Sequence, residues 1–340
     1  MAKILVTGGL GFIGSHTVVE LQNKGFEVVI IDNLSNSSIG VLDGITAITG
    51  VKPTFENIDL KEKNLVQDFF KRHKNLQGVI HFAASKAVGE SVNEPLMYYG
   101  NNINTLVYLL QEFNKLETPN FIFSSSCTVY GQPDMLPINE EAPIKPALSP
   151  YGNTKQIGEE IIQDVCKVSN NFNAISLRYF NPIGAHETAL IGELPLGVPQ
   201  NLVPFITQTA IGKRKQLSVF GNDYPTQDGT CIRDYIHVVD LAKAHVIALT
   251  RLLDKKNKTN LEVFNLGTGT GSSVLEVIHS FERVSGEKLN YKIAERREGD
   301  VVSVFSDTER ANQVLGWTAK LSLDDAMRSA WKWEQKISEF

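Results

Sequence analysis

A glycine-rich turn near the N-terminus constrains the fold of this chain more than any other feature of the sequence. It follows the apolar run Lys3-Ile-Leu-Val-Thr7, which predicts a buried strand, and it holds Gly8, Gly9, Gly11 and Gly14. Glycine permits the tight turn and lets backbone amides approach a pyrophosphate at the positive end of the next helix. A strand, this turn and a helix together predict a nucleotide-binding unit, whereas a glycine-rich turn without a ligand is the alternative.

Strand-like and helix-like segments alternate along the chain. Strands are predicted at 3–7, 27–32, 78–84, 121–124, 174–179 and 263–267, with another ending near Asp59, and helices at 16–24, 63–71 and 238–253. Such alternation predicts a parallel sheet with helices on both faces. The predicted fold class is therefore α/β, with a Rossmann-type doubly wound parallel sheet.

The alternation loosens after Asn181, where Pro and Gly cluster over residues 182–204 and predict loops around a substrate. At 340 residues, the chain has material for about two domains. We expect a nucleotide-binding domain over 1–180 and a smaller mixed α/β substrate-binding domain over 181–340. Elements around 236–267 are expected to return to the first sheet.

An acidic residue indicates which dinucleotide would bind. Asp32 ends the second predicted strand, 18 residues after Gly14. A carboxylate there accepts hydrogen bonds from a ribose 2′-hydroxyl and repels a 2′-phosphate, so NAD is favoured over NADP. Asp59 has two open interpretations: it either ends a strand near the adenine or forms a helix N-cap before Glu62.

A tyrosine and a lysine four residues apart indicate the chemistry. Tyr151 and Lys155 would share one face of a helix. A tyrosine has an ordinary pKa of about 10, and a base near neutral pH needs it lowered by about three units, or about 4 kcal/mol. The Lys155 ammonium would favour the phenolate. Alone, this spacing is typical of a solvated helix surface; with the glycine turn, it predicts a nicotinamide enzyme with a tyrosine acid/base.

Composition excludes several classes of function. The net charge is −5 without a basic stripe, so a nucleic-acid partner is not expected. Apolar runs are too short for a membrane span, and residues 1–7 read as a strand rather than a signal peptide. Cys127, Cys166 and Cys231 are far apart and odd in number. They favour reduced thiols in the cytoplasm over disulfides or a metal site.

The sequence resembles the extended short-chain dehydrogenase/reductase superfamily and, within it, the UDP-glucose 4-epimerase family. The resemblance extends over nearly the whole chain. Beyond the glycine turn it includes Asp32-Asn-Leu34, His81-Phe-Ala-Ala-Ser-Lys86, Ser124-Ser-Ser-Cys-Thr-Val-Tyr-Gly131, Ser149-Pro-Tyr-Gly-Asn-Thr-Lys155, Leu177-Arg-Tyr-Phe-Asn-Pro182, Asn201-Leu-Val-Pro204, Phe220-Gly-Asn-Asp-Tyr-Pro225, Arg233-Asp-Tyr-Ile-His-Val238 and Arg296-Arg-Glu-Gly-Asp300.

The resemblance implies an epimerase whose NAD stays bound through turnover. Tyr151 would be the base, Lys155 would tune it and hold the nicotinamide ribose, and Ser126 would hydrogen-bond the reacting sugar hydroxyl. The implied NAD-binding residues are Gly8, Gly11, Phe12, Ile13, Gly14, Asp32, Asn33, Asn36, Ser37, Asp59, Leu60, Phe82, Ala83, Lys86, Asn101, Ser126, Tyr151, Lys155 and Phe180. The implied substrate-binding residues are Lys86, Ser126, Tyr151, Asn181, Asn201, Leu202, Phe220, Arg233, Arg297, Asp300 and Val304.

The resemblance also implies a homodimer, in which helices predicted at 94–115 and 151–169 form a four-helix interface. Taken singly, Ser126 could simply end a strand and Arg233 could form a surface ion pair. Val304 stands where some members of the family carry tyrosine and others cysteine, which puts the range of sugars in question.

Two other functions are weighed against the epimerase. A nucleotide-sugar 4,6-dehydratase would need an Asp-Glu pair where this chain has Cys127-Thr128. A non-catalytic NAD-binding protein would have no reason to hold Tyr151, Lys155 and Ser126 together.

Overall fold

The computed structural model describes residues 2–117, 119–297 and 300–338, in which strands and helices alternate. The strands are β1 (Lys3–Thr7), β2 (Glu27–Asp32), β3 (Thr54–Asn57), β4 (Leu76–His81), β5 (Asn120–Ser126), β6 (Asn173–Tyr179), β7 (Asn181–Ile183), β8 (Leu217–Phe220), β9 (Ile232–Arg233), β10 (Tyr235–His237), β11 (Leu261–Leu266), β12 (Ser272–Ser273), β13 (Tyr291–Ala294) and β14 (Ser303–Val304). The helices are α1 (Phe12–Asn23), α2 (Val41–Thr49), α3 (Lys63–Arg72), α4 (Val88–Asn93), α5 (Pro95–Phe113), α6 (Pro150–Val168), α7 (Leu202–Ala210), α8 (Val238–Leu253), α9 (Val274–Ser285) and α10 (Leu323–Ile337).

Seven strands form one parallel sheet in the order β11-β6-β5-β4-β1-β2-β3. The direction of winding reverses between β1 and β4. In open sheets of this kind, ligands bind at the carboxyl ends of the strands beside such a reversal. The predicted Rossmann-type parallel sheet is confirmed.

Apolar side chains of the central strands alternate between two buried layers. Ile4 and Val6 face one layer, which includes Leu249 of α8, while Leu5 faces the other, which includes Phe113 of α5. The period of two follows from the pleat of a strand. Each of these side chains is almost fully buried, and complete burial stabilises the fold by about 1.5–3 kcal/mol per large side chain. The two layers hold the carboxyl ends of the strands in fixed register.

The second half of the chain contributes both to this sheet and to a separate cluster. β11 pairs in parallel with β6, so it forms one edge of the large sheet. α7, α9 and α10 pack around a third apolar cluster that includes Ile206, Phe281 and Trp331. The short strands β12, β9 and β14 form a sheet of their own. No described helix is both long and apolar enough to cross a membrane.

The segment predicted as loops, 182–204, contains more structure than expected. It includes most of β7, which pairs with β10, and the first residues of α7. A three-residue strand is too short to produce a periodic apolar pattern, so the sequence gives little sign of it.

Candidate active site

The glycine turn forms a cradle at the start of α1. Gly8 has a φ of +67°, and its N–H donates to the carbonyl oxygen of Ile31 at 2.7 Å. A Cβ on Gly14 would lie 2.2 Å from the Gly8 oxygen, so only glycine fits there. α1 has Gly11 as its N-cap, and no described side chain caps it. The first-turn amides are thus available to an anion, as the pyrophosphate of NAD requires.

Asp32 lies beside this cradle and is held by three donors. Its carboxylate accepts hydrogen bonds from the amides of Leu10 at 3.1 Å and Leu34 at 3.0 Å, and from the Ser37 hydroxyl at 2.8 Å. A carboxylate offers about four acceptor positions, so one remains for a ribose hydroxyl. The remaining acceptor position of Asp32 and the glycine cradle therefore fit the ribose and the pyrophosphate of NAD. Asn36 follows on the same exposed loop.

Asp59 is not a helix N-cap, so that interpretation is wrong. α3 has Glu62 as its N-cap, whereas the Asp59 carboxylate accepts from Asn33 Nδ2 at 3.1 Å and from the Lys61 amide at 2.9 Å. The preceding strand, β3, ends at Asn57, two residues before Asp59, as predicted. Asp59 and the adjacent buried Leu60 consequently lie beside the loop that follows β2.

The chain after β4 lines the other side of the cradle. The Phe82 amide donates to the Thr7 carbonyl oxygen at 3.0 Å, and a Cβ on Gly8 would lie 2.8 Å from the Ala83 nitrogen. Further along, Asn101 Nδ2 donates to the Ser85 hydroxyl at 2.9 Å. The loop after β4 therefore closes over the turn that begins α1.

Tyr151 and Lys155 lie in the first turns of α6, and both are buried. Their residues are only 8% and 5% exposed, so the interpretation as a solvated helix surface is wrong. Ser149 caps the helix by accepting from the Gly152 amide at 3.1 Å. Lys155 Nζ donates to the Ser124 carbonyl oxygen at 2.6 Å and lies 5.8 Å from the centroid of the Tyr151 ring. α6 and the end of β5 thus form one site.

The electrostatics of this site differ from the sequence-based expectation. Burial raises the pKa of Tyr151, the neighbouring Tyr179 adds to the rise, and a hydrogen bond with Ser126 opposes it. Burial also lowers the pKa of Lys155 to about 8, opposed by Glu159. In the chain by itself, the pKa of Tyr151 is therefore not below its usual value, because desolvation of the phenolate is the largest effect on it.

Ser126 ends β5 and caps the 3₁₀ turn Cys127–Tyr130, accepting from the Thr128 amide at 3.2 Å. It therefore ends a strand and also contacts Tyr151. Burial raises the pKa of the Cys127 thiol to about 12, so it is no nucleophile at neutral pH. Cys127 and Val304 pack on the cluster that contains Phe180, which places Val304 near the carboxyl end of β5.

A second group of charged residues lies beside the short strands β9 and β14: Arg233 is in β9, and Arg297 and Asp300 precede β14. Asp300 accepts from Arg297 Nη2 at 2.7 Å and lies 3.5 Å from Arg233 Nη2. The Arg297 guanidinium lies 5.7 Å from the ring centroid of Phe220, which is 42% exposed. Two of the five residues in the motif Arg296–Asp300, at positions 298 and 299, lie outside the described residues. The structure thus brings Arg233 and Arg297 to the same carboxylate.

The remaining predicted substrate residues have separate contacts. Asn181 begins β7, and its amide donates to the Asp234 carbonyl oxygen at 2.9 Å. Asn201 Nδ2 donates to Glu193 Oε1 at 2.6 Å, directly before Leu202 begins α7. Lys86 Nζ lies 3.5 Å from the same Glu193 oxygen. Glu193 therefore connects Lys86 with Asn201 across the two halves of the chain.

Two of these neighbours were missed by reasoning from the sequence. Tyr179 hydrogen-bonds Ser124 and lies close enough to Tyr151 to raise its pKa. Its position in the motif Leu177–Pro182 was a usable signal. Glu193 lies in a Pro- and Gly-rich segment and offers no such signal.

Comparison with known proteins places this geometry in a family. Residues 5–330 match the family model described as GDP-mannose 4,6 dehydratase. A UDP-glucose 4-epimerase of Bacillus subtilis (strain 168) is 50% identical over 331 residues, which cover 97% of this chain and 96% of that protein.

Solved structures agree with this relationship. The UDP-glucose-4-epimerase of Stenotrophomonas maltophila, with bound NAD and formylated UDP-arabinopyranose, has a TM-score of 0.95 and 44% identity, covering 100% of this chain and 99% of that one. The Bifidobacterium longum enzyme, in complex with NAD+ and UDP, has a TM-score of 0.93 and 45% identity, covering 98% of both chains. The chain therefore belongs to the UDP-glucose 4-epimerase family of the extended short-chain dehydrogenases/reductases.

Proposed function

We propose that this chain is an isomerase that interconverts UDP-galactose and UDP-glucose with tightly bound NAD. The observation that carries the proposal is the buried pair Tyr151 and Lys155, in contact with Ser126 and Ser124 at the end of β5. Related structures contain NAD together with UDP or a UDP-sugar. The cradle at Gly14 and the held Asp32 carboxylate fit the same dinucleotide.

Tyr151 acts as the proton acceptor and donor in this proposal. Its phenolate oxygen takes the proton of the sugar 4-hydroxyl and, after the 4-keto sugar has turned, returns a proton to the C4 oxygen. Ser126 hydrogen-bonds the same C4 oxygen of the sugar. When bound, NAD supplies the acceptor and then the donor of the C4 hydride. Because burial raises the pKa of Tyr151, the phenolate requires a nearby cation. The Lys155 ammonium, which lies 5.8 Å from the centroid of the Tyr151 ring, supplies it.

The nucleotide is the fixed anchor of the substrate. Arg233 and Arg297 suit a diphosphate because a guanidinium forms paired hydrogen bonds with phosphate oxygens. The exposed ring of Phe220 and the carboxylate of Asp300 lie beside them and suit the uridine. Firm contacts with UDP and looser contacts with the hexose let the keto sugar turn about its bond to phosphate.

One experiment separates the three functions. Purified protein receives UDP-galactose without added NAD, and the products are analysed for UDP-glucose. An epimerase yields UDP-glucose, a 4,6-dehydratase yields a 4-keto-6-deoxy sugar nucleotide, and a non-catalytic protein yields neither. Absence of UDP-glucose from a preparation that contains bound NAD would reject the proposal.

We also propose a dinucleotide-binding domain over 1–180 and a UDP-sugar-binding domain over 181–340.

A homodimer through α5 and α6 is proposed in addition. The two helices pack against each other, and Leu96 and Val168 near their ends are more than four-fifths exposed. Light scattering at micromolar concentration tests the dimer, and a monomer would reject it.

The three free cysteines support a reducing, cytoplasmic location.

A second activity, the interconversion of UDP-GlcNAc and UDP-GalNAc, is proposed from Val304. It is half-buried and packs on the cluster that contains Phe180 and Cys127. A tyrosine there would fill space that a 2-N-acetyl group needs, and a pocket rejects a group only by clashing with it. Val304→Tyr should suppress turnover of the N-acetyl sugars and spare UDP-galactose. An unchanged ratio of the two activities would show that Val304 is not the gate.

A further inference from the structure

A buried ion pair lies beneath the catalytic turn of α6. Arg178 of β6 donates from Nε to Glu159 Oε1 at 2.9 Å and from Nη2 to Oε2 at 2.6 Å. The side chains are only 8% and 14% exposed. This paired geometry fixes both the position and the orientation of the Glu159 carboxylate.

The same carboxylate holds the end of β5. Glu159 Oε1 accepts a short hydrogen bond from the Ser125 hydroxyl. Ser125 lies between Ser124, whose carbonyl oxygen accepts from Lys155, and Ser126, which contacts Tyr151. The Glu159 carboxylate thus connects α6 to Ser125, the residue of β5 that lies between the neighbours of Lys155 and Tyr151.

Glu159 also lies one helical turn from Lys155. Residues four apart on a helix share a face, so the carboxylate stabilises the Lys155 ammonium. This attraction opposes the burial that lowers the pKa of Lys155. The network continues on its far side: Arg178 Nη1 donates to the Tyr130 hydroxyl at 3.0 Å, which donates to Asn265 Oδ1 at 2.7 Å.

Other groups around Lys155 do not supply the negative charge that stabilises its ammonium. His81 of β4 faces it and is neutral, because burial and Lys155 itself lower its pKa to about 3. The phenols of Tyr151, Tyr179 of β6 and Tyr98 of α5 have pKa values raised by burial and are also neutral. Arg178 is the nearby cation and is held by Glu159, which is the anion among these groups.

We propose that Glu159, fixed by Arg178, is a positioning residue of the epimerisation site: it sets the end of β5 against α6 and holds Lys155 in its charged form. The inference rests on the proposed function. Glu159 acts through Lys155 and Ser125, because its carboxylate accepts hydrogen bonds from Ser125 and Arg178, neither of which belongs to the dinucleotide cradle or to the charged cluster of Arg233.

The first test is Glu159→Gln, which keeps the size of the side chain and can still accept from Ser125. Wild type must first convert UDP-galactose, since inactivity of wild type would count against the proposed function and not against this inference. The alkaline limb of kcat against pH should move to lower pH by about one unit, with KM little changed. The matched control is Glu160→Gln, which alters the exposed acid next to it and should leave the profile unmoved.

The second test is Glu159→Gln combined with Arg178→Met, because glutamine alone leaves a buried guanidinium unpaired. The double variant should recover the melting temperature of wild type yet keep the displaced alkaline limb. A limb that coincides with wild type would show that the ion pair only stabilises the fold, and would overturn the inference.

The third test, Ser125→Ala, keeps the charges of Glu159 and Arg178 and removes the hydrogen bond between Glu159 and β5. It should lower kcat several-fold without moving the alkaline limb, and it decides the positioning role even where the charge variants fail to fold. An unchanged kcat in Ser125→Ala would overturn that role.

Discussion

Replacement of Lys155 by methionine tests the electrostatics of the site most directly. Its Nζ lies 5.8 Å from the centroid of the Tyr151 ring. With this distance to the ring centroid taken as the separation of the two charges, an effective dielectric constant of about 20 gives an interaction of about 3 kcal/mol, or about two pKa units. Because the lost charge is a cation, the phenolate is destabilised and the pKa of Tyr151 rises. Lys155→Met should therefore lower kcat about 100-fold at neutral pH.

The assay is the pH dependence of UDP-galactose conversion. The limb that reports deprotonation of Tyr151 should move to higher pH by about two units, so the loss is partly recovered in alkaline buffer. Lys167→Met is the matched control, because Lys167 is on the same helix but its side chain is 62% exposed. Methionine keeps most of the length of the lysine side chain and removes an ammonium group whose pKa burial lowers to about 8, so the fold should not be weakened at pH 7. An unmoved limb would refute the reasoning.

Three further predictions concern the base and the cofactor. Tyr151→Phe should fold and bind NAD yet lose at least about 100-fold in kcat, since it removes the proton acceptor; turnover like that of wild type would exclude Tyr151 as the base. Denaturing the purified protein should release NAD equimolar with the chain, and apo protein active only with added NAD would contradict the bound-cofactor cycle. Asp32→Ala should weaken NAD binding and relax discrimination against NADP. An unchanged preference for NAD over NADP in a fluorescence titration would show that Asp32 does not contact the ribose.

The large sheet could be predicted from the sequence because its strands carry strong local signals. β1, β2 and α8 have the predicted bounds, since apolar runs there are ended by glycine or by a polar residue. β4 was predicted two residues too late at its start and three too late at its end. Its first residues, Leu76 and Gln77, do not extend the apolar run, whereas Phe82 to Ala84 do so without being in the strand.

The site was harder to predict wherever it depends on contacts between distant segments. The Tyr-x-x-x-Lys spacing locates Tyr151 and Lys155, but it does not reveal the desolvation that raises the pKa of the phenol. Glu159 meets Arg178 only because α6 packs beside β6. β9 and β14 have two residues each and are separated by about seventy residues of chain. Strands this short have no periodic pattern from which they could be predicted.

Burial and exposure divide the site in a way that suits the proposed reaction. Tyr151 and Lys155 are almost fully buried, where a low dielectric strengthens the interactions that position a proton and exclude water. At the other end, the Arg297 side chain is 60% exposed and pairs with Asp300. The Asp300 side chain is only 12% exposed, but Arg233 lies 3.5 Å from it, so the carboxylate keeps a cationic neighbour when Arg297 turns to a diphosphate. The nucleotide can therefore bind at the open end while the hexose reacts at the closed one, which lets one chain hold UDP firmly and still release it after each turnover.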